Sequence, residues 1–579
     1  MLDVKELRRQ FDLIRKRQSA LIGNSDEDVF PVWILLALAS ATEQEVATAI
    51  CGGPYDGDMD AIFVDEKAVW IVQGKLRGVP GKTTESAKAV RDFAALAKYL
   101  YEDPKTPSNP EFWRHLERNT RGAAEKFRKA SKAVRLRDLP VRLIFASTGR
   151  FNPNVESDVK NIVKRVATQA SISLLDFREI AQHLTNYIRD VAPAVPSLRL
   201  KVVSGELRSA TMGDSTLQAW TLATTAEQVA SLQRQGGEQI FARNIRHGLG
   251  DKVHVNRAIR RTLEKEPQRF WFLNNGLTIT CESARMEGDD ISMKGAQIIN
   301  GQQTTRTITE VMRGHSASHP ARDARVAVRV ISFERVAQLV ADRLVAQVVE
   351  ATNFQNAISK ADLRSNDIRQ IELARELQAR GYLFIRKRGK QESPNGLNFL
   401  KYRITREELF TAVAGTLEES IALREGRTPL FDSDLPHYDR IINMNTDSLL
   451  AAWFCWKRVN SCAYGDSFKQ AAKYLVHYHA FQSLRTGVGQ FDRIVKRLEQ
   501  NDKEVGDHLD DIIKAYFAGS EKSYKANKKR TGKALLPKPY HQSEKSSGYF
   551  ETMWRSGKCT RFRAQVRDAA HDLRELLKA

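Results

Sequence analysis

Hydrophobic and polar positions sort this chain into three stretches of different periodicity. In residues 1–192, helical spacings alternate with short apolar runs. Met1 to Ser19 and Asp26 to Ala49 carry apolar residues at helical intervals, the second including the continuous run PVWILLALA expected of a buried helix. Ala61 to Val64 and Ala68 to Val72 flank the polar Asp65-Glu66-Lys67 and predict the arms of a β-hairpin. Val90, Phe93, Ala97 and Leu100 mark one buried face of a further helix. Pro110 to Arg137 reads as a basic helical region, and VRLIFAS (Val141 to Ser147) and Ile172 to Leu175 as buried strands. Such alternation predicts an α/β/α sandwich.

VAPAVPSLRL, with Pro193 and Pro196, marks a domain boundary. Residues 198–445 mix strands and helices, an α+β pattern. Strands are expected at Leu198 to Val203 and Val326 to Ile331, and helices at Ala226 to Gln235 and Val336 to Ala351. Trp271 to Leu273 and Leu277 to Thr280 are expected to be strands bracketing an Asn-Asn-Gly turn. Residues 446–579 are expected to be mostly helical, with the aromatics of LAAWFCWKRV and AAKYLVHYHAFQSL in the core. Lys522 to Lys533 reads as a polar basic linker, and Arg561 to Lys578 as a final helix.

Composition narrows the class of partner. The chain of 579 residues is too long for one core. Lys and Arg outnumber Asp and Glu by 91 to 70, giving +21 at pH 7, so a polyanion is the expected partner, DNA and RNA being equally compatible. The five cysteines lack the spacing of a zinc site or a disulfide framework. The start has no apolar signal core, and the longest apolar run, Val32 to Ala39, is too short to span a bilayer, so a cytoplasmic location without membrane partners is expected.

The hairpin concentrates the candidate chemistry. A turn centred between Glu66 and Lys67 keeps paired residue numbers summing to 133, which sets Asp60 opposite Gln73, with Lys75 on the same face as Gln73 about 6 to 7 Å further along. A carboxylate, an amide oxygen and an ammonium then converge. Asp60 and Gln73 are expected to hold Mg²⁺, or Mn²⁺, and Lys75 to offset the charge that develops when a phosphodiester is attacked. Asp56, Asp58, Glu43 and Glu45 are near enough in sequence to add a second carboxylate, with Glu45, on the preceding helix, the favoured one. The D-x12-QxK pattern resembles the core of PD-(D/E)XK nucleases in the variant with Gln in place of Glu, which implies a restriction-endonuclease-like domain over residues 1–192.

Four ordered segments follow from Arg243 to Lys390: RNIRHGLGDKVHVNRAIRRTLEKEPQRFWFLNNGLTITCES, KGAQIINGQQTTRTI, VEATNFQNAISKADLRSND and GYLFIRKRGK. Together they resemble the AIPR family, named for abortive infection and phage resistance, over about residues 225–500. The strand-to-helix turn at Asn300, Gly301 and Gln302 offers backbone amides to a phosphate, with Arg306 in reach. Asn353, Gln355, Asn356, Lys360, Asp362 and Arg364 form a further polar cluster, and the pair of motifs is similar to loops of ParB-like and DGQHR-type domains. Arg386, Lys387, Arg388 and Lys390, interleaved with Tyr382 and Phe384, suit a nucleic-acid backbone and a stacked base.

The resemblance implies a prokaryotic antiphage defence protein in which a metal-dependent nuclease is restrained by an AIPR domain until a phage-derived or nucleotide trigger arrives; a homo-oligomer is compatible with this. Two alternatives stay open. In one, the N-terminal domain binds nucleic acid without cutting it. In the other, the chemistry is nucleotide binding at Asn300, Gly301 and Arg306.

Overall fold

The computed structural model describes residues 2–18, 21–39, 41–203, 212–213, 217–244, 254–334, 341, 344–345, 347–349, 351, 360–387, 402–417, 428–432, 435–464, 466–531 and 544–578. These fall into two compact units, one up to Ala351 and one from Lys360 onward.

The first unit begins with α1 (Val4–Arg17), α2 (Asp26–Leu38) and α3 (Glu43–Ala47), followed by the hairpin strands β1 (Ala61–Val64) and β2 (Val69–Lys75). The single helix expected from Asp26 to Ala49 is therefore two. Thr42 accepts from the backbone of Glu45 while the Glu45 side chain accepts from the backbone of Thr42, a capping box that starts a new helix. Next come α4 (Ala87–Ala95), α5 (Ala97–Tyr101), α6 (Pro110–Glu117), α7 (Ala123–Arg137), β3 (Val141–Ser147), α8 (Pro153–Val166), β4 (Ala170–Leu175) and α9 (Phe177–Ile188). The strands form one sheet in the order β1-β2-β3-β4, with β1 antiparallel to β2 and the other neighbours parallel.

Alternation of side chains splits this sheet between two cores. Ala61, Val72, Ile144, Ala146 and Leu175 face Phe11, Phe30, Trp33, Ile180 and Leu184 of α1, α2 and α9. Ile62, Val69, Ile71, Leu143, Phe145 and Ile172 face Phe93, Phe127 and Val159 of α4, α7 and α8. The result is helix, sheet, helix, the three-layer sandwich that the alternating pattern predicted.

The same unit continues with β5 (Leu198–Lys201), β6 (Met212–Gly213), β7 (Gln218–Thr225), α10 (Ala226–Gly236), α11 (His254–Lys265), α12 (Phe270–Leu273), β8 (Leu277–Cys281), β9 (Ser283–Glu287), β10 (Asp290–Lys294), β11 (Gln297–Asn300), α13 (Gln302–Gly314) and β12 (Arg325–Ser332). These strands make a three-stranded sheet, β5-β10-β9, and a five-stranded one, β11-β8-β12-β7-β6. Their core joins Trp220, Ile279, Ile298 and Val328 to Val229, Leu232, Ile308 and Val311 on α10 and α13. Trp271 to Leu273, expected as a strand, belongs to the short helix α12. Phe272 and Leu273 there are 81% and 64% exposed, so three large apolar residues in a row do not make a buried strand.

In the second unit α14 (Lys360–Leu363), α15 (Ile368–Ala379) and a parallel pair, β13 (Tyr382–Ile385) and β14 (Tyr402–Thr405), lead into α16 (Arg406–Ala414) and α17 (His437–Ile442). Then come α18 (Thr446–Ser461), α19 (Asp466–Gly487), α20 (Phe491–Glu499), α21 (Lys503–Thr531), α22 (Glu544–Arg555) and α23 (Thr560–Leu576). Trp453, Phe454, Trp456 and Phe481 join its core, as their helical spacing foretold. Lys522 to Thr531, expected to be linker, is the last part of α21. Its residues lack Pro and Gly, so nothing local stops a helix already anchored by Ile512, Ile513 and Phe517. Among the described residues no helix is long and apolar enough to cross a membrane.

Candidate active site

The hairpin register places the first predicted residues. Ala61 pairs with Val72 and Val64 with Val69, each pair summing to 133, so Asp60 sits opposite Gln73 one step beyond the ladder. The Asp60 backbone N–H donates to the carbonyl of Val72 (2.8 Å), continuing the pairing. Its carboxylate Oδ2 accepts from Gln73 Nε2 (2.8 Å) and from the Gly74 backbone N–H (2.7 Å). Odd positions of β2 and β3 and even positions of β1 share a face, which brings Asp60, Gln73, Lys75 and Ser147 over the α4 and α7 layer.

Burial governs the electrostatics. It pushes the Asp60 carboxyl up to about 6, an effect that the Gly74 N–H and the Lys75 ammonium oppose and that Asp56 and Asp58 reinforce. Asp56 is raised too, again first by burial. Its oxygens accept from the backbone N–H groups of Gly53 and Asp58, both at 2.9 Å. Lys75 has no hydrogen-bond or ion-pair partner for its ammonium among the described residues. Gln73 is 2% exposed, and its Oε1 is a buried acceptor that no donor among the described residues reaches. An orphaned buried amide oxygen, on the side chain whose Nε2 reaches the Asp60 carboxylate, offers with that carboxylate the oxygen donors of a hard cation that takes few protein ligands and keeps its waters. Glu45 Oε2 accepts from the backbone N–H (2.7 Å) and hydroxyl (2.8 Å) of Thr42. Among the described residues no three of His, Cys, Asp or Glu gather as a metal cluster, so Asp60 and Gln73 are the candidate pair.

Two residues of the site gave no signal in the sequence. Glu85, with a side chain 3% exposed, forms an ion pair with Arg77 and accepts from Ser147 Oγ at 2.5 Å. Burial would raise its carboxyl, but the Arg77 and Ser147 hydrogen bonds and the Lys75 charge together hold it below the usual range. Ser147 reaches the site because β2 and β3 run parallel with Lys75 paired to Ser147. That pairing joins residues 72 positions apart, and no local spacing encodes it.

The central motifs form a second constellation. Gly276, in the Asn-Asn-Gly turn, has φ +70, and a Cβ there would lie 2.1 Å from the Ala327 carbonyl oxygen. Gly301, which caps α13, has φ +93, and a Cβ would lie 2.4 Å from Leu277 Cδ2 and 2.8 Å from the Gly276 carbonyl oxygen. Both turns thus require glycine, and they pack against each other. Asn274 Nδ2 donates to Thr304 Oγ1 (3.3 Å) across them. Asn275 and Asn300 line a cavity of about 410 Å³ with Thr221, Thr278 and Arg329. Gln302 is buried at the helix start, whereas Arg306 pairs with Glu238 and lies over the Phe241 ring (5.1 Å).

Lys360, Arg364 and Arg386 belong to the second unit. Lys360 pairs with Asp432, Arg364 lies 4.5 Å over the Tyr438 ring, and Arg386 donates to the Ser365 carbonyl (2.8 Å). Asn353, Gln355, Asn356, Arg388 and Lys390 lie outside the described residues. Tyr382 and Phe384, expected to stack a base, are 0% and 3% exposed and belong to the core, because β13 is covered by α15 and α18. At the centre of this region Arg406, 1% exposed, pairs with the fully buried Asp362 at 3.1 Å and with Glu407 at 2.9 Å.

Comparison with known proteins adds one match. No curated protein and no solved structure matched the chain. Residues 241–526 match the family model described as AIPR protein, across the Asn-Asn-Gly and Asn-Gly-Gln-Gln turns, the Arg406 ion pairs and most of the helical part of the second unit. Over residues 241–526 the chain is therefore similar to the AIPR family.

Proposed function

We propose that this is an antiphage defence protein of the abortive-infection type, in which the N-terminal sandwich cleaves nucleic-acid phosphodiesters with a divalent cation and the AIPR domain governs when it does so. The AIPR match supports the defence role. The observation that carries the chemistry is the buried Gln73 Oε1, which no donor among the described residues reaches, on the amide whose Nε2 donates to the Asp60 carboxylate.

Asp60 and Gln73 are the residues that would hold Mg²⁺ or Mn²⁺. When bound, such a cation supplies Lewis acidity to the phosphodiester. The Gly74 N–H fixes one Asp60 oxygen and leaves the other to a ligand. Lys75, with its ammonium unpaired, is free to meet the negative charge that accumulates on the phosphoryl oxygens. Glu85 and Arg77 touch no reacting atom in this reading; they secure the β2 and β3 ends from which Lys75 projects.

The test is cleavage of labelled single- and double-stranded DNA and RNA by the purified full chain, with Mg²⁺, with Mn²⁺ and with EDTA, beside Asp60→Asn and Lys75→Ala. Metal-dependent cutting abolished in both folded variants is expected, and cutting that survives both would overturn the site. The second reading is a nucleic-acid-binding domain without catalysis, favoured by the uncharged Gln73 and the absence of a three-carboxylate cluster among the described residues. On that reading Asp60→Asn leaves binding intact and no condition yields cutting.

A further inference from the structure

The loop that delivers Asp60 carries a feature that phosphodiester chemistry does not use. It runs from Gly52 to Met59 and is fastened to the α6–α7 corner. Asn119, 8% exposed, donates through Nδ2 to the carbonyls of Cys51 (3.0 Å) and Pro54 (2.9 Å), while its Oδ1 accepts from the backbone of Arg121 (2.9 Å). Gly57 packs so closely on α6 that a Cβ would lie 2.9 Å from Leu116 Cδ2. The loop closes where the N–H groups of Cys51 (2.8 Å) and Gly52 (2.9 Å) both donate to the Asp60 carbonyl.

On this fastened loop Tyr55 stands outward, 36% exposed, with φ +66, a left-handed conformation seldom taken by an aromatic residue. The exposed Arg118 guanidinium lies 3.9 Å over its ring and donates to its hydroxyl (2.6 Å). The exposed His115 ring meets it edge-on at 5.2 Å. An aromatic ring and a planar cation are thus held together at the surface, at most about 18 Å along the chain from Asp60. The same helices, α6 and α7, carry further basic side chains. Arg121, Arg128 and Arg135 are ion-paired with Asp28, Glu117 and Asp103, but the exposed Arg114, Lys129 and Lys132 have no ion pair among the described residues.

We propose that Tyr55, His115 and Arg118, with Arg114, Lys129 and Lys132, form a binding surface for single-stranded nucleic acid. The cations hold the phosphates and an unpaired base stacks on the Tyr55 and Arg118 platform. Bases in a duplex are already stacked on one another and cannot use such a platform, whereas unpaired bases stack on aromatic and guanidinium planes with little regard to sequence. That this surface delivers the strand to Asp60 rests on the nuclease reading above; the binding itself does not.

The test is fluorescence anisotropy with the full chain in EDTA, using labelled single-stranded DNA, single-stranded RNA and duplex DNA of one length. Tyr55→Leu, the triple variant Arg114→Ser/Lys129→Ser/Lys132→Ser and Asp60→Asn are measured beside the parent, with circular dichroism to show that each is folded. Single strands are expected to bind more tightly than duplex. Tyr55→Leu should weaken single-strand binding about tenfold and leave duplex binding unchanged. The triple variant should weaken both and flatten the salt dependence. Single-strand affinity unaltered in folded Tyr55→Leu, or tighter binding of duplex than of single strands, would overturn the proposal. If Tyr55→Leu fails to fold, Arg118→Ala decides in its place by the same readout. Failure of the nuclease reading looks different: no cutting under any condition, with the single-strand preference and its loss in Tyr55→Leu unchanged.

Discussion

Replacing Asp60 by Asn removes a group whose ionisation is opposed by its surroundings, so the substitution that would end the proposed metal binding should stabilise the fold. Burial raises the carboxyl from its ordinary value of 3.8 to about 6. A folded value above the unfolded one means that the native state binds the extra proton, so stability from this group is fully present below about pH 4 and is lost as pH rises through about 6. The shift corresponds to about 3 kcal/mol, and the partial exposure of the group reduces this to about 1 to 2 kcal/mol. Asn keeps an acceptor for Gln73 Nε2 and the Gly74 N–H and carries no charge at any pH. Urea unfolding of the parent and Asp60→Asn in EDTA should therefore show the variant gaining on the parent between about pH 4 and pH 6, with a constant advantage from pH 7 upward. Millimolar Mg²⁺ at pH 7.5 should raise the midpoint of the parent alone, since only the parent offers a carboxylate to the ion. A stability difference that does not vary with pH, or an equal response of both proteins to Mg²⁺, would refute the reasoning.

Three further outcomes follow from named contacts. Glu85→Gln should cost about 2 kcal/mol at pH 7 by chemical denaturation, because Arg77 loses its charged partner while Ser147 keeps an acceptor. The Glu85 carboxyl is held low in the fold, so its contribution is present above the unfolded value and lost as pH falls through the folded one, and the gap between parent and variant should close only in strong acid. Gly301→Ala, at φ +93 and 2.4 Å from Leu277 Cδ2, should destabilise by well over about 1 kcal/mol, seen as a lowered melting temperature. Asp362→Ala leaves the buried Arg406 guanidinium with Glu407 in place of two carboxylates and should cost about 3 kcal/mol, whereas Asp362→Ala with Arg406→Met should recover much of that loss in the same assay.

How far the sequence reached depended on whether the information was local. Period-2 and period-3.6 patterns were enough for the sandwich, because each strand and helix must show an apolar face to the layer beside it. The acidic turn at Asp65 to Lys67 set the hairpin register, and that register alone placed Asp60 against Gln73. The glycines of the Asn-Asn-Gly and Asn-Gly-Gln-Gln turns were also visible, since their positive φ is a local demand. Where local preference competed with context, reading failed. Thr42 and Glu45 closed a capping box that cut one expected helix in two and engaged one oxygen of the Glu45 carboxylate. Trp271 to Leu273, apolar enough for a strand, became an exposed helical turn, and Lys522 to Thr531, polar enough for a linker, extended a packed helix.

What only the tertiary structure decided is which distant residues meet. Ser147 comes beside Lys75 through a parallel pairing that needs a crossover of many residues, and no hairpin-like spacing announces it. Asn119 fastens the Asp60 loop from 65 to 68 positions away, and Arg118 caps Tyr55 from 63, contacts that depend on how α6 and α7 turn at Gly122. The sequence by itself determined the elements and the one pair of site residues that a hairpin can hold; assembling the rest of the site required the packing of elements whose order along the chain carries no record of their proximity.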